Sequence, residues 1–105
     1  MKLIVAIVDE KDVDRVMSTL TRQRVSITRV SSTGGLLSPG NSTLLIGIDE
    51  QHVPQVTQLI SELASLRKSV VPYTYEGVHP LTGLAEVEVG GFLSFVLDVH
   101  HFEQV

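Results

Sequence analysis

Hydrophobic positions in the first half of the chain predict β-strands at three places. Lys2–Val8 is a continuous apolar run rich in β-branched residues, which predicts a strand buried at the centre of a sheet. Val25–Thr33 begins with alternating apolar and polar positions, and Ser42–Ile48 is apolar at most of its positions. The last two predicted strands are joined by a glycine-rich connection, which favours a hairpin.

Two segments have instead the spacing of amphipathic helices, with apolar residues three and four positions apart. The first begins after Asp9, which is a good N-cap, and ends near Arg24. Its predicted buried stripe consists of Val13, Val16, Met17 and Leu20. The second begins at Asp49 and ends near Arg67, where basic residues suit the negative end of the helix dipole. Its predicted buried stripe consists of Val56, Ile60, Leu63 and Leu66.

The C-terminal third of the chain predicts further β-structure. Ser69–Thr74 is β-prone, and Glu76–Leu84, with its glycines and proline, is typical of a loop. Ala85–Val99 predicts a long extended segment that bends at Gly90–Gly91. The order β-α-β-β-α-β with an additional strand predicts an α+β, ferredoxin-like fold, in which an antiparallel sheet has both helices on one face. We expect a single domain over residues 1–105.

The composition is apolar for a chain of 105 residues. Hydrophobic residues make up 43%, charged residues only 19%, and the mean hydropathy is +0.24. Charged residues usually make up about a quarter of a globular chain. We therefore expect some apolar surface to be buried between subunits, and thus an oligomer.

The charges and the missing cysteines exclude several kinds of partner and site. The net charge is −4 and the basic residues form no cluster, so a nucleic-acid polymer is not an expected partner. The absence of cysteine excludes disulfides, thiolate metal sites and cysteine nucleophiles. The apolar run Lys2–Val8 meets Asp9 rather than a small-residue cleavage site, and no stretch has the length of a membrane span. We expect a cytoplasmic protein without membrane insertion.

Candidate catalytic and metal-binding residues are few and poorly spaced. None of the histidines has the spacing of a zinc site; they are His52, His79, His100 and His101. Glu86 and Glu88 share one face of a predicted strand, where exposure to solvent explains them without catalysis. We expect neither a metal site nor an enzyme.

The segment Ser31–Gly47, SSTGGLLSPGNSTLLIG, has the composition of a ligand-binding connection. Its glycines allow close approach to backbone, and its hydroxyls and its Asn amide suit a nucleobase edge or a phosphate. Leu36 and Leu37 suit a ligand cleft or a subunit seam better than an exposed turn. The segment lacks the lysine of a P-loop and the glycine spacing of a dinucleotide fingerprint. The residues alone leave two possibilities open, a ligand-binding loop and a hairpin connection that needs glycine for its geometry.

Together with Lys2–Val8 and the sequence VEVGG at Val87–Gly91, this segment resembles the PII-like cyclic di-AMP receptor family. The resemblance extends along nearly the whole chain, with length differences at Glu76–Leu84. It implies a ferredoxin-like homotrimer, similar to the nitrogen-regulatory PII proteins, without catalytic activity. Such a trimer binds cyclic di-AMP or a related adenine nucleotide in clefts between subunits and needs no cofactor.

The resemblance also implies a set of ligand-binding residues. Carried over by position, they are Ser26, Thr28, Gly35, Leu36, Leu37, Asn41, Gly47 and Gln104. Thr28 and Asn41 are expected to hydrogen-bond the ligand, and Gly47 to let it approach the backbone. The loop residues form a wall against one adenine, and Gln104 in the tail closes the site. Ligand-induced ordering of the loops and the tail is expected to change a surface that an unknown protein effector reads.

Two residues depart from the family pattern. Leu36 stands where the family usually has Phe, which removes a base-stacking contact worth about 1–3 kcal/mol. Ser26 stands where the family often has Arg, which removes a charge-assisted contact to phosphate. These departures favour one alternative, a trimeric PII-like interaction protein that has lost cyclic di-AMP binding. A second alternative, which follows from the fold, is a divalent-metal-binding trimer of the same fold.

Overall fold

Strands and helices follow the predicted order in the residues that the computed structural model describes, which are 1–31, 40–75 and 81–105. The elements are β1 (Lys2–Asp9), α1 (Glu10–Arg22), β2 (Ile27–Ser31), β3 (Asn41–Ile48), α2 (Val53–Ala64), β4 (Arg67–Tyr75), β5 (Leu81–Val89) and β6 (Phe92–Asp98). One turn of 3-10 helix, Glu50–His52, leads into α2. The N-cap expected at Asp9 is confirmed, because its carboxylate accepts a hydrogen bond of 2.8 Å from the Lys11 backbone N–H.

Four strands form one antiparallel sheet in the order β2-β3-β1-β6. The central strand β1 pairs with β3 on one side and β6 on the other, so that Lys2 lies opposite both Ile48 and Asp98. Strands β4 and β5 form a separate two-stranded hairpin. The predicted α+β fold with an antiparallel sheet and two helices is confirmed, and the additional β-structure is this hairpin.

The core lies between the two helices and one face of the sheet. Alternate β1 residues Ile4, Ala6 and Val8 are fully buried, as the period of two along a strand requires. The α1 stripe is confirmed, with Met17 partly buried beside three buried residues. The buried hydrophobic residues are Ile4, Ala6, Val8, Val13, Val16, Leu20, Leu44, Ile46, Val56, Ile60 and Ala64. Each large aliphatic side chain among them contributes about 1.5–3 kcal/mol on burial, which holds both helices on this face.

Helix α2 ends earlier than the sequence predicts. It stops at Ala64 because Ser65 has an extended conformation, with ψ at 152°. Ala64 is buried and completes the helix stripe, whereas Leu66, which the spacing placed in the stripe, is 62% exposed. The prediction that the helix continues to Arg67 is wrong, since Arg67 is the first residue of β4.

The extended segment predicted over Ala85–Val99 is divided between two sheets. Gly90 and Gly91 have φ of 85° and 90°, a conformation that L-residues with side chains rarely adopt, and they turn the chain from β5 into β6. The Gly91 N–H donates to the carbonyl of the last α2 residue at 2.8 Å, which holds the bend against that helix. Residues 81–84, predicted as part of a Glu76–Leu84 loop, belong to β5, and residues 76–80 lie outside the described part.

A buried carboxylate links α1 to the base of the β4–β5 hairpin. Asp12 is fully buried, and its Oδ1 accepts hydrogen bonds of 2.7 Å from Nη2 of both Arg15 and Arg67. The same arginines donate to backbone carbonyls, Arg15 to Leu63 at 2.9 Å and Arg67 to Ser65 at 3.2 Å. The hydrogen bond from Arg67 holds the pKa of Asp12 below its usual range and raises the pKa of Arg67. We call these three side chains the Asp12 cluster.

The sheet face that carries no helix is apolar and open. In register across it, Leu45 lies opposite Val5, and Val5 lies opposite Phe95. The β6 residues of this face are the most exposed, with Leu93 at 61%, Phe95 at 54% and Leu97 at 50%. We call this surface the helix-free face. Contiguous exposed apolar surface of this kind is typical of an interface.

Within the described ranges, no helix has the length and apolar character needed to cross a membrane.

Candidate ligand-binding groove

A groove of about 630 Å³ opens where β2, β3 and the C-terminal tail meet. We call it the tail groove. Its described walls consist of Met1, Leu3, Ser26, Ile27, Thr28, Leu45, Gly47, Val99, Phe102, Glu103 and Gln104. A volume of this order is typical of a small-molecule site.

Strand register brings Thr28 and Gly47 to the floor of the groove. Thr28 lies opposite Leu45 in the β2–β3 pairing, and Gly47 lies opposite Leu3 in the β1–β3 pairing. Because residues two apart on a strand share a face, all four belong to the edge of the helix-free face. A Cβ added at Gly47 would meet no atom within 4 Å, so a ligand has room to approach the backbone there.

The tail reaches the groove because the end of β6 is fastened to the start of β1. The Val99 N–H donates to the Met1 carbonyl at 3.3 Å, and Lys2 Nζ pairs with the Asp98 carboxylate. This pair raises the pKa of Lys2 and lowers the pKa of Asp98. Residues 102–104 then line the groove together with residues of the strands.

The groove combines apolar walls with a few polar groups. Leu3, Leu45 and Phe102 supply apolar surface against which a planar ring packs. The Thr28 hydroxyl and the Gln104 amide each donate and accept hydrogen bonds, whereas an ionised Glu103 carboxylate only accepts. This set suits a ring that has both donors and acceptors on its edge, such as a nucleobase.

The structure brings together some of the residues implied by the family resemblance and separates others. Those that line the tail groove are Ser26, Thr28, Gly47 and Gln104. Asn41 begins β3 opposite Asp9, six positions from Gly47 and thus about 20 Å away along the strand. Gly35, Leu36 and Leu37 lie outside the described residues. Ser26 itself precedes β2, which begins two residues later than the predicted strand.

Sequence reasoning missed the apolar floor and most of the tail wall. Leu3 carried a usable signal, because β1 is apolar at every position from Leu3 to Val8 and therefore has an apolar second face. Leu45 carried the same signal in β3. Phe102 and Glu103 gave none, since only the fastening of β6 to β1 brings the tail to this place.

A second cavity of about 330 Å³ adjoins the groove at the ends of both helices. We call it the helix cavity. Its lining consists of Met1, Gln23, Arg24, Val25, Ser26, Gly47, Ile48, Asp49, His52, Gln55, Val56 and Leu59. Met1, Ser26 and Gly47 line both spaces, so the helix cavity borders the tail groove at these residues.

Neither the groove nor the rest of the described chain, with residues 32–39 and 76–80 set aside, has three His, Asp or Glu side chains grouped to hold a metal ion. His52 Nδ1 lies 4.0 Å from Asp49 Oδ2, and His101 Nε2 lies 3.6 Å from Glu103 Oε2. Both pairs are open to solvent. Glu86 on β5 is exposed, as its alternation with apolar neighbours predicts.

Comparison with known proteins agrees with the fold and with the resemblance in the sequence. The family model described as "Cyclic-di-AMP receptor" matches residues 1–105. The crystal structure of a functionally unknown protein from Pediococcus pentosaceus is similar, with a TM-score of 0.78 and 36% sequence identity. The match covers 99% of this chain and 96% of that chain. The chain therefore belongs to the cyclic di-AMP receptor family, which is PII-like.

Proposed function

We propose that this chain is a non-catalytic signalling protein that binds cyclic di-AMP in the tail groove. The observation that carries the proposal is that Ser26, Thr28, Gly47 and Gln104 line one groove in a member of the cyclic di-AMP receptor family. They come from three separate stretches of the chain, so a shared groove is not a trivial result of nearness in sequence.

The polar groups of the groove suit the edge of an adenine ring. Adenine presents an exocyclic amine that donates and ring nitrogens that accept, which match Glu103 and the Thr28 hydroxyl or Gln104 amide. Guanine also offers donors to a carboxylate, its N1–H and its 2-amino group, so these polar groups alone do not select between the two bases. The preference for an adenine dinucleotide follows from the cyclic di-AMP receptor family, to which the chain belongs.

We propose further that the ligand lies between subunits of a homotrimer. Asn41 lies about 20 Å from Gly47 along β3, so the same chain does not present both residues to one adenine. A neighbouring chain supplies Asn41 if both contact the same adenine. The helix-free face supports this arrangement, because its exposed apolar residues continue to the rim of the groove. The number of three subunits follows from the family resemblance.

The signal would pass through the parts of the chain that surround the ligand. The tail forms one wall of the groove and its residues 100–105 are exposed, so a bound ligand changes the environment of the tail directly. We propose that this tail, the connection before β3 and the connection between β4 and β5 rearrange on binding. The rearranged surface is then read by a protein effector.

Isothermal titration of the tag-free protein tests the proposal, with cyclic di-AMP, ATP and cyclic di-GMP as ligands. We expect one site per chain and selective binding of cyclic di-AMP, which chromatography recovers unchanged after prolonged incubation. Thr28→Val removes a hydroxyl and should weaken binding about three- to tenfold. Thr43→Val is the matched control, since Thr43 lies on the same sheet face but outside the groove. Absence of heat with all ligands would overturn the proposal and favour an interaction protein without nucleotide binding.

A further inference from the structure

The described side chains of the tail groove supply no positive charge for the ligand proposed above. Its described lining includes the Glu103 carboxylate and no Lys, Arg or His side chain. Cyclic di-AMP carries two phosphodiester groups, each with one negative charge at neutral pH. An anion that leaves water is stabilised when a cationic group donates hydrogen bonds to it. The groove walls alone supply no such side chain.

The helix cavity supplies a cationic side chain close to the residues that the two spaces share. Arg24 lines that cavity together with Ser26 and Gly47, which also line the tail groove. Two residues of backbone span at most about 7 Å, a distance that an extended arginine side chain covers. Arg24 is exposed, and its side chain forms no ion pair with another residue in ranges 1–31, 40–75 and 81–105.

The other basic side chains are held elsewhere or lie far from this junction. The chain has eight Lys and Arg residues in total. Those paired with carboxylates are Lys2, Arg15, Arg29, Arg67 and Lys68. Arg22 donates to the Ser18 carbonyl of its own helix at 3.3 Å. Lys11 lies in the first turn of α1, at the Asn41 end of the sheet.

The backbone at Arg24 is one that ordinarily selects glycine. Its φ is 63°, and it follows α1 in the position where a left-handed residue ends the helix. Two hydrogen bonds define this cap, from Arg24 N–H to the Thr21 carbonyl at 2.9 Å and from Val25 N–H to the Leu20 carbonyl at 3.0 Å. An arginine in this conformation is unfavourable compared with glycine, and residues held in such conformations are concentrated at functional sites.

We infer that Arg24 binds a phosphodiester group of the ligand at the junction of the tail groove and the helix cavity. This inference rests on the proposed function. In this arrangement the adenine lies against Thr28 and Gln104. The phosphate lies beside Ser26 and Gly47, and glycine has no side chain that would obstruct it. The planar guanidinium donates paired hydrogen bonds to two phosphate oxygens, which a lysine does not reproduce.

The test is titration of cyclic di-AMP into Arg24→Gly, Arg24→Lys and the control Arg22→Ala, with wild type alongside. Arg24→Gly is chosen because glycine suits the left-handed backbone, so the variant should unfold at the same or a higher temperature. We expect its Kd to rise about ten- to a hundredfold and to depend less on salt concentration. Arg24→Lys should bind with intermediate affinity. Arg22→Ala removes a positive charge from the same end of α1 and should bind as wild type.

Three other results would each contradict either the role of Arg24 or the proposed function. If wild type binds and Arg24→Gly binds within twofold of it, the role of Arg24 is excluded while the proposed function stands. If Arg22→Ala weakens binding as much as Arg24→Gly, the effect is one of general charge and the contact is excluded. If wild type does not bind cyclic di-AMP, the proposed function and this inference fail together.

Discussion

Gly40 and Gly47 lie at the two ends of β3 and need glycine for different reasons. Gly40 has a φ of 90°, so its backbone conformation itself disfavours a side chain. Gly47 lacks a positive φ, and a Cβ there would meet no atom within 4 Å. Neither backbone geometry nor packing within the chain therefore requires glycine at position 47. Close approach of a ligand to the floor of the tail groove is the reason that the proposed function supplies.

Replacing Gly47 with Ala should separate ligand binding from stability. We expect the free energy of unfolding to stay the same or to rise by up to about 1 kcal/mol, because alanine restricts the unfolded chain. The new methyl group projects into the groove, and the Kd for cyclic di-AMP should rise at least about tenfold. Chemical denaturation and titration calorimetry measure the two effects. Gly40→Ala is the contrasting variant and should lose about 1 kcal/mol of stability.

An affinity of Gly47→Ala equal to that of wild type would remove this residue from the ligand site. Loss of both affinity and stability would instead show that glycine serves the fold.

The family resemblance names Thr28 and Gly47 among the ligand-binding residues, and alternation along each strand is a local property. The register of β2 and β1 against β3 is what places both residues on one sheet face. Glu103 depends on the fastening of β6 to β1, which joins the two ends of the chain. The place of Arg24 depends on a left-handed helix cap, and an arginine in the sequence does not predict such a cap. Long-range pairing and backbone strain are the parts that the pattern does not contain.

At the scale of elements, the Asp12 cluster sets where the β4–β5 hairpin leaves the core. Arg67 opens β4 and reaches back to Asp12 in α1, and Gly90 closes β5 directly above this contact. A Cβ at Gly90 would lie 2.6 Å from Arg67 Nη1 and 2.7 Å from the Ser65 carbonyl oxygen. The hairpin therefore packs through backbone against the cluster, and the absence of a side chain at Gly90 is what allows it.

The Asp12 cluster should make stability depend on acid pH. The pKa of Asp12 is lowered in the folded protein, mainly by the hydrogen bond from Arg67. The unfolded chain therefore binds a proton at Asp12 more readily than the folded chain does. The stabilisation is complete above the ordinary aspartate pKa, near 4, and is lost as pH falls through the lower folded value. Asp12→Asn should cost about 2–3 kcal/mol at pH 7, a moderate value because both arginines are partly exposed.

Urea unfolding of wild type and Asp12→Asn between pH 2.5 and pH 7 measures this effect. The difference in unfolding free energy should be constant above about pH 5 and shrink below about pH 4. Asp14→Asn is the control, since Asp14 lies on the same helix with its side chain 97% exposed, and it should change stability by less than about 0.5 kcal/mol. A difference that persists undiminished to pH 2.5 would show that Asp12 acts through packing rather than charge.

The sequence predicts the elements whose structure depends on neighbouring residues. The predictions are wrong where a contact with a residue distant in the sequence determines the structure. The α1 stripe and the Asp9 cap follow from spacing and residue type alone. Arg67 was assigned to the end of a helix because basic residues favour that position, but a buried carboxylate 55 positions earlier draws it into β4 instead. The structure has a hairpin where the sequence predicts one additional strand. Gly90 and Gly91, which have positive φ, divide the predicted extended segment Ala85–Val99 between β5 and β6.

At the scale of the molecule, the helix-free face and the tail groove form one continuous surface. Three rows cross the sheet in register, Leu97–Leu3–Gly47, Phe95–Val5–Leu45 and Leu93–Ile7–Thr43. The first two rows end at residues that line the groove, and the rows begin at exposed apolar residues of β6. A subunit that covers this face would therefore stand beside the groove. Assembly and ligand binding are expected to depend on each other for this reason.

Phe95→Glu tests that dependence, because it places a charge at the centre of the exposed apolar rows. We expect wild type to have three times the 11.5 kDa mass of one chain in analytical ultracentrifugation, and Phe95→Glu to sediment as a monomer with weakened cyclic di-AMP binding. Leu66→Glu is the matched control, since Leu66 is 62% exposed, compared with 54% for Phe95, but lies between α2 and β4.

The masses measured for wild type and Phe95→Glu distinguish the role of the interface from that of the ligand site. A Phe95→Glu protein that keeps the wild-type mass would exclude the helix-free face as the subunit interface. A monomeric wild type that still binds cyclic di-AMP would place the complete site within one chain, and Asn41 and Gly47 would then not contact the same adenine. A monomeric Phe95→Glu that binds as tightly as wild type would leave the interface in place and remove the neighbouring subunit from the site. Only joint loss of assembly and affinity fits a ligand held between subunits.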